Sequence, residues 1–218
     1  PPEVSSVLLN PDPTYTDSLL SATPTYSDLD GDTMSLTYTW SVGGIEVQSG
    51  SDHTLAGSLF SKGETVTVSV MANDGSDDSM ESTASVVVRN TLPTAPDISI
   101  SPAVPSEQVD DLVCSVDTVS TDTDNDSITY TFDWTVDSND YLGSIDTALD
   151  STVLASETNV AEEWNCTVTP NDGEEEGAQE ALSVTIDSSC SLTITVEGIS
   201  GDLEYCVDCV AGEYSCQA

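Results

Sequence analysis

Asp28-Leu29-Asp30-Gly31-Asp32 leads into Leu36-Thr37-Tyr38-Thr39-Trp40, and the chain later says the same thing again. Asp122-Thr123-Asp124-Asn125-Asp126 leads into Tyr130-Thr131-Phe132-Asp133-Trp134, at a constant offset of 94 residues (122 − 28, 134 − 40). A second echo lies downstream in each copy. Glu64-Thr65-Val66-Thr67-Val68-Ser69-Val70 runs to Asn73-Asp74-Gly75, and Glu162-Glu163-Trp164-Asn165-Cys166-Thr167-Val168 runs to Asn171-Asp172-Gly173. The offset there is 98 (171 − 73), so the second copy carries four more residues between its Trp and its late strand. A period this long is a whole domain, not a solenoid unit.

Working outward from the Trp segments, apolar residues alternate with Ser and Thr at period two. One face collects Leu20 and Ala22; Leu36, Tyr38 and Trp40; Val66, Val68 and Val70; Ala84, Val86 and Val88. The second copy collects Leu112, Cys114 and Val116; Ile128, Tyr130, Phe132 and Trp134; Trp164, Cys166 and Val168; Leu182, Val184 and Ile186. Period two with one apolar and one hydroxylated face describes antiparallel strands packed on one side. Several such strands with turn residues between them read as a β-sandwich of roughly 95 residues. The expected architecture is all-β: domain 1 over residues 1–90, domain 2 over 91–187, and a Cys-rich extension over 188–218.

Charge removes several functions. The 218 residues include 40 Asp and Glu against two basic side chains, Lys62 and Arg89, and one His, a formal net charge of −38. Nucleic-acid binding needs phosphates neutralised by Lys and Arg, so no nucleic-acid partner is expected. Attraction to an anionic membrane surface fails for the same reason. No apolar run reaches the roughly 18 residues of a membrane span, so no membrane insertion is expected. The chain opens at Pro1 with neither Met nor a signal-like apolar stretch, which reads as a processed or excised segment. A compact chain with this charge repels itself. Bound divalent cations, calcium first, or high external salt would relieve it. Six Cys beside a single His suggest disulfides rather than zinc or a Cys–His nucleophile, and an extracellular or cell-surface location.

With these residues in view the resemblance can be named. Trp134, with Cys114 before it and Cys166 after it, resembles the immunoglobulin-like sandwich. The Asp-x-Asp-Gly-Asp…Tyr-x-Trp run and the later Asn-Asp-Gly resemble the PKD-like and cadherin-like repeats of prokaryotic surface proteins, over residues 1 to about 187. The resemblance implies two tandem immunoglobulin-like β-sandwiches, with Cys114 and Cys166 bridging the sheets beneath Trp134. The first copy departs from the pattern, with Leu20 and Val68 at the equivalent positions. The tyrosine usual two residues before the second Cys is replaced by Trp164 and by Val66.

In that topology the two acidic loops of each copy share a pole. Asp28, Asp30 and Asp32 should meet Asn73 and Asp74; Asp122, Asp124 and Asp126 should meet Asn171 and Asp172. Converging carboxylates repel unless a cation sits among them. Calcium takes six to eight oxygens in loose geometry, which Asp/Asn loops can supply, whereas magnesium demands stricter octahedral order. The spacing is not an EF-hand, since the twelfth position from Asp28 is Thr39. The competing reading is that Asp-Gly-Asp and Asn-Asp-Gly are simply good turn formers.

The tail holds one strand-like stretch, Ser191–Val196, with Cys190 before it and Cys206, Cys209 and Cys216 after it, read as structural disulfides of open pairing. His53 has no partners for a triad, no phosphate loop or nucleophile elbow occurs, and no enzyme is expected. Asn125-Asp126-Ser127 and Asn165-Cys166-Thr167 fit the glycan-acceptor pattern. The leading expectation is a non-catalytic structural protein. It would be a repeat segment or protomer of a surface fibre, stalk or adhesin, stiffened by calcium and disulfides and assembled head to tail with copies of itself. The alternative is a carbohydrate- or receptor-binding module appended to a secreted enzyme.

Overall fold

The computed structural model describes residues 1–188 and, beyond them, only the backbone of two short strands. Packing divides the chain into two compact units: Pro1–Leu92 with Asp122–Asp126, and Pro93–Thr121 with the residues from Ser127 onward.

The first repeat forms β1 (Glu3–Asn10), β2 (Thr14–Tyr15), β3 (Leu20–Ser27), β4 (Ser35–Val42), β5 (Ile45–Gly50), β6 (Thr54–Leu55), β7 (Thr65–Asn73) and β8 (Ser82–Arg89). They make two sheets, in the orders β1-β3-β6 and β2-β8-β7-β4-β5. Every pairing is antiparallel except that of β2 with β8. The alternation explains why the sheets face each other. Leu20, Trp40, Leu55, Val66, Val68 and Val70 are all fully buried, while the intervening Thr37, Thr65 and Ser85 point to solvent.

The second repeat forms β9 (Asp97–Ser101), β10 (Leu112–Thr118), β11 (Thr129–Val136), β12 (Asn139–Tyr141), β13 (Ile145–Asp146), β14 (Asp150–Val153), β15 (Glu163–Asn171) and β16 (Glu180–Thr185). Its sheets run β13-β14-β10-β9 and β12-β11-β15-β16. Sheet order and core place both repeats in the immunoglobulin-like class of β-sandwich. A final hairpin, β17 (Tyr205–Val210) and β18 (Glu213–Gln217), pairs antiparallel.

The sequence repeat is a structural repeat, strand register included. Trp40 lies opposite Val68 and Trp134 opposite Cys166; Ser35 lies opposite Asn73 and Thr129 opposite Asn171. Cys114 on β10 and Cys166 on β15 form a disulfide between the two sheets, and both are fully buried. In the first repeat Val68 stands where Cys166 does, but the expected Leu20 does not match Cys114. Leu20 lies opposite Leu55 as Leu112 lies opposite Val153, which puts Ala22 at the place of Cys114, and Leu20, Ala22 and Val68 are all buried. Apolar volume there replaces the covalent bond.

One inward assignment fails. Leu182 is 38% exposed although its neighbours in the alternation, Val184 and Ile186, pack on the core. It stands on β16, the last strand of its sheet, flanked on one side only. The strand expected at Ser191–Val196 lies outside the described residues, as do the pairings of Cys190, Cys206, Cys209 and Cys216.

Candidate functional site

The Asn-Asp-Gly turns are built alike in the two repeats. Asn73 Oδ1 accepts the Gly75 N–H at 2.8 Å, and Asp74 Oδ1 accepts those of Ser76 and Asp77 at 2.8 and 2.7 Å. Asn171 Oδ1 accepts the Gly173 N–H at 2.7 Å, and Asp172 Oδ1 those of Glu174 and Glu175 at 2.8 Å. The glycine of each turn has φ near +97° (Gly75) or +96° (Gly173), a conformation that costs an L side chain energy. One side-chain oxygen of each of these four residues is therefore spent on shaping its own loop. The Asp77 and Ser76 N–H groups hold the Asp74 carboxyl below the ordinary carboxylate range.

The Asp-rich loops after β3 and β10 also match. Asp28 Oδ1 accepts the N–H groups of Asp30 at 2.9 Å and Asp32 at 3.2 Å. Asp122 Oδ1 accepts those of Asp124 at 2.8 Å and Asp126 at 3.2 Å. At the loop's left-handed position stand Gly31 (φ 80°) and Asn125 (φ 65°), the two residue types that tolerate it best. The second oxygen behaves differently. Asp28 Oδ2 and Asp122 Oδ2 are both buried and have no hydrogen-bond partner. The Asp28 side chain is only 1% exposed, and the nearest positive charge is the Pro1 amino group, 3.9 Å away.

Of the first repeat's candidate ligands, Asp28, Asp30, Asp32 and Asp74 bring no three carboxylate oxygens within 4.8 Å of one another among the described residues. Asp124 is committed elsewhere: it accepts the Thr16 hydroxyl and, at 2.6 Å, the Thr91 N–H. Asp126 pairs with Lys62 at 2.5 Å, and the same ammonium donates to Asn90 Oδ1 at 3.1 Å. Sequence reasoning did not find Thr16, Thr91 or Lys62. For Lys62 a signal existed: one of two basic side chains among 40 acidic ones gains most by sitting on a carboxylate.

The remaining candidates can be placed briefly. His53 is exposed and its ring meets that of Tyr38 at 6.3 Å, with no acid–base partner in a triad arrangement among the described residues. Asn125 is exposed. Asn165 lies within β15 and donates to Thr167 Oγ1 at 3.2 Å. Trp164, where a corner tyrosine was absent, is buried and donates its indole N–H to Glu162 at 3.0 Å. No helix among the described residues is long and apolar enough to cross a membrane.

No family model matches the chain, and no curated protein matches it in sequence. Three solved structures are similar to the chain at low identity. A two-domain fibronectin type-III segment of chicken tenascin shares 14% identity over 84% of this chain and 98% of that one, with a TM-score of 0.38. The fibronectin(III)-like modules of Clostridium thermocellum CbhA share 13% over 84% and 94%, with a TM-score of 0.33. The chicken interferon gamma receptor alpha chain shares 10% over 85% and 98%, with a TM-score of 0.43.

Proposed function

We propose that the chain is a non-catalytic extracellular structural protein, part of a surface fibre, stalk or adhesin built from PKD-like or cadherin-like repeats, whose acidic loops hold calcium. One observation carries the reading. In both repeats the leading aspartate of the loop, Asp28 or Asp122, has one oxygen bound to two backbone N–H groups and the other buried without a hydrogen-bond partner, Asp28 Oδ2 having only the Pro1 amino group 3.9 Å away. A buried carboxylate oxygen left unsatisfied is costly, by about 1–3 kcal/mol or more for a charged group, and a cation removes that cost. Duplication of the same cost in two repeats favours a shared ligand over chance. Asp30 and Asp32 beside Asp28, and Asp126 beside Asp122, are the residues that would complete the shells. A hard, oxygen-seeking ion with flexible geometry fits carboxylate loops of this kind. Bound, it would supply charge neutralisation and stiffness, not chemistry.

Calorimetry tests the reading directly. Calcium that binds only the native state at a hundredfold excess over Kd stabilises by about 2.7 kcal/mol. A chelator should lower Tm, and calcium should restore it better than magnesium. Equal rescue by sodium chloride at matched ionic strength would leave only general screening and remove the site.

The alternative, a binding module on a secreted enzyme, has less support on the carbohydrate side. Trp40, Trp134, Phe132 and Tyr38 are buried, so they do not make a planar row of exposed aromatics.

A further inference from the structure

The two repeats diverge at one place in a way their shared framework does not require. In the first, β5 pairs along β4 as far as Tyr38, and the Trp40 indole N–H reaches only a backbone oxygen, that of Asp52, at 3.4 Å. In the second, β12 leaves β11 after Trp134, which lies opposite Tyr141. The chain that leaves there walls a cavity of about 340 Å³, lined by Trp134, Tyr141, Leu142, Asp133, Asp140 and Asp146 among others.

The cavity is built, not merely left over. The Trp134 indole N–H donates to Ser151 Oγ at 2.9 Å, and Ser151, fully buried, donates to Asp146 Oδ1 at 2.5 Å. That relay fixes one carboxylate at the cavity. The Tyr141 ring stands edge-on to Trp164 at 4.8 Å, and it lies so close to residue 143 that a Cβ there would be 2.4 Å from its hydroxyl oxygen. Gly143 thus makes room for the aromatic wall. Leu142 at the cavity is 95% exposed.

Its chemistry selects a class of ligand. Three carboxylates line the cavity and no basic side chain does. Of the aromatic residues there, Trp134 and Phe132 are buried in the core, and the half-buried Tyr141 is the ring that can add attraction for a cation. A metal ion is a poor match, because Asp133, Asp140 and Asp146 do not bring their carboxylate oxygens within 4.8 Å of one another. Carboxylates spread around an aromatic and aliphatic wall suit a charge carried on an apolar stem. We propose that this cavity binds an organic cation, a guanidinium or alkylammonium group on a short aliphatic chain. The proposal does not depend on calcium at the acidic loops.

Diffuse attraction is the danger in a chain of net charge −38, so the test must be local. Agmatine and a Gly-Arg-Gly peptide are titrated into the full chain at physiological ionic strength, where attraction beyond roughly 8 Å is screened. The readout is the indole N–H resonance of Trp134. A saturable shift is expected, with affinity weakened about tenfold by Asp146→Asn and, separately, by the exposed Asp140→Asn, and with Tm of the latter unchanged. Tighter binding of the peptide than of agmatine assigns the cation to a protein side chain; the reverse assigns it to a free small molecule. A shift that does not saturate, or equal affinity in wild type and both variants, overturns the proposal.

Discussion

Positions 31 and 125 solve one backbone problem with two residues. Gly31 and Asn125 both sit at positive φ, inside loops whose hydrogen bonds agree to within a tenth of an ångström. Gly31→Ala should cost about 1–2 kcal/mol, the usual penalty of a left-handed L residue, while Gly31→Asn should cost clearly less because the second repeat already uses it. Urea denaturation of the two variants checks this, and equal costs would mean that the loop geometry is not shared. Asp28→Asn bears on the ion. It removes a buried charge, so it should raise metal-free stability by about 1 kcal/mol and abolish the calcium-induced stabilisation of the first sandwich alone. A calcium response surviving when Asp28→Asn and Asp122→Asn are combined would place the ion elsewhere. Asp74 gives the pH behaviour. Hydrogen bonds from Asp77 and Ser76 lower its folded pKa, and those from the Thr54 N–H and hydroxyl do the same for Asp52. Their contribution to stability is present above the unfolded pKa and is lost as pH falls through the folded value. Carboxyl-carbon NMR should find both titrating below the ordinary range for Asp.

At the scale of elements, the repeats differ chiefly in what ties their two sheets. The Cys114–Cys166 bridge spans 52 residues of sequence. On the chain-entropy model, closing a loop of that length contributes roughly 4 kcal/mol. Reduction, or Cys114→Ser with Cys166→Ser, should therefore lower the second sandwich's unfolding transition by about that amount and leave the first unmoved. Hydrogen exchange on β7 and β15 separates the two responses; protection lost equally in both strands would contradict it. In the first sandwich the matching tie is packing. Leu20→Ala should cost about 3 kcal/mol, in the range for a buried leucine. Gly57 gives a sharper constraint on the turn after β6. A Cβ there would lie 2.3 Å from the backbone of Asp17, so Gly57→Ala forces main chain to move rather than a side-chain tip.

For the whole molecule, net charge governs behaviour. With 40 acidic and two basic side chains, added monovalent salt alone should raise Tm, and the part of the calcium effect that exceeds matched sodium chloride is the specific part. Head-to-tail assembly with copies of itself, expected from the sequence, is proposed for the fibre. Contacts of that symmetry do not close on themselves and grow filaments. Deletion of residues 188–218, or Asp30→Ala with Asp32→Ala, should abolish fibres in electron micrographs while the second sandwich keeps its disulfide and its hydrogen-exchange protection. Fibres that persist through both changes would discard this mode of assembly.

The Cys114–Cys166 pair was implied by the resemblance to immunoglobulin-like sandwiches, whereas strand periodicity and the 94- and 98-residue offsets were sufficient for the all-β class and the tandem sandwiches. Those features follow from local alternation and from distances along the chain, which a sequence displays openly. Leu182 escaped because it stands on the last strand of its sheet, flanked on one side only, which periodicity does not show. The acidic loops were legible as turns and as candidate ligands, but not in their division of labour. Which oxygen of Asp28 or Asp122 caps the loop and which is stranded is a matter of side-chain rotamer and packing. Tertiary structure alone also put Lys62 on Asp126 and Ser151 between Trp134 and Asp146. Such pairings join residues with no periodic relation, so only the folded chain selects them.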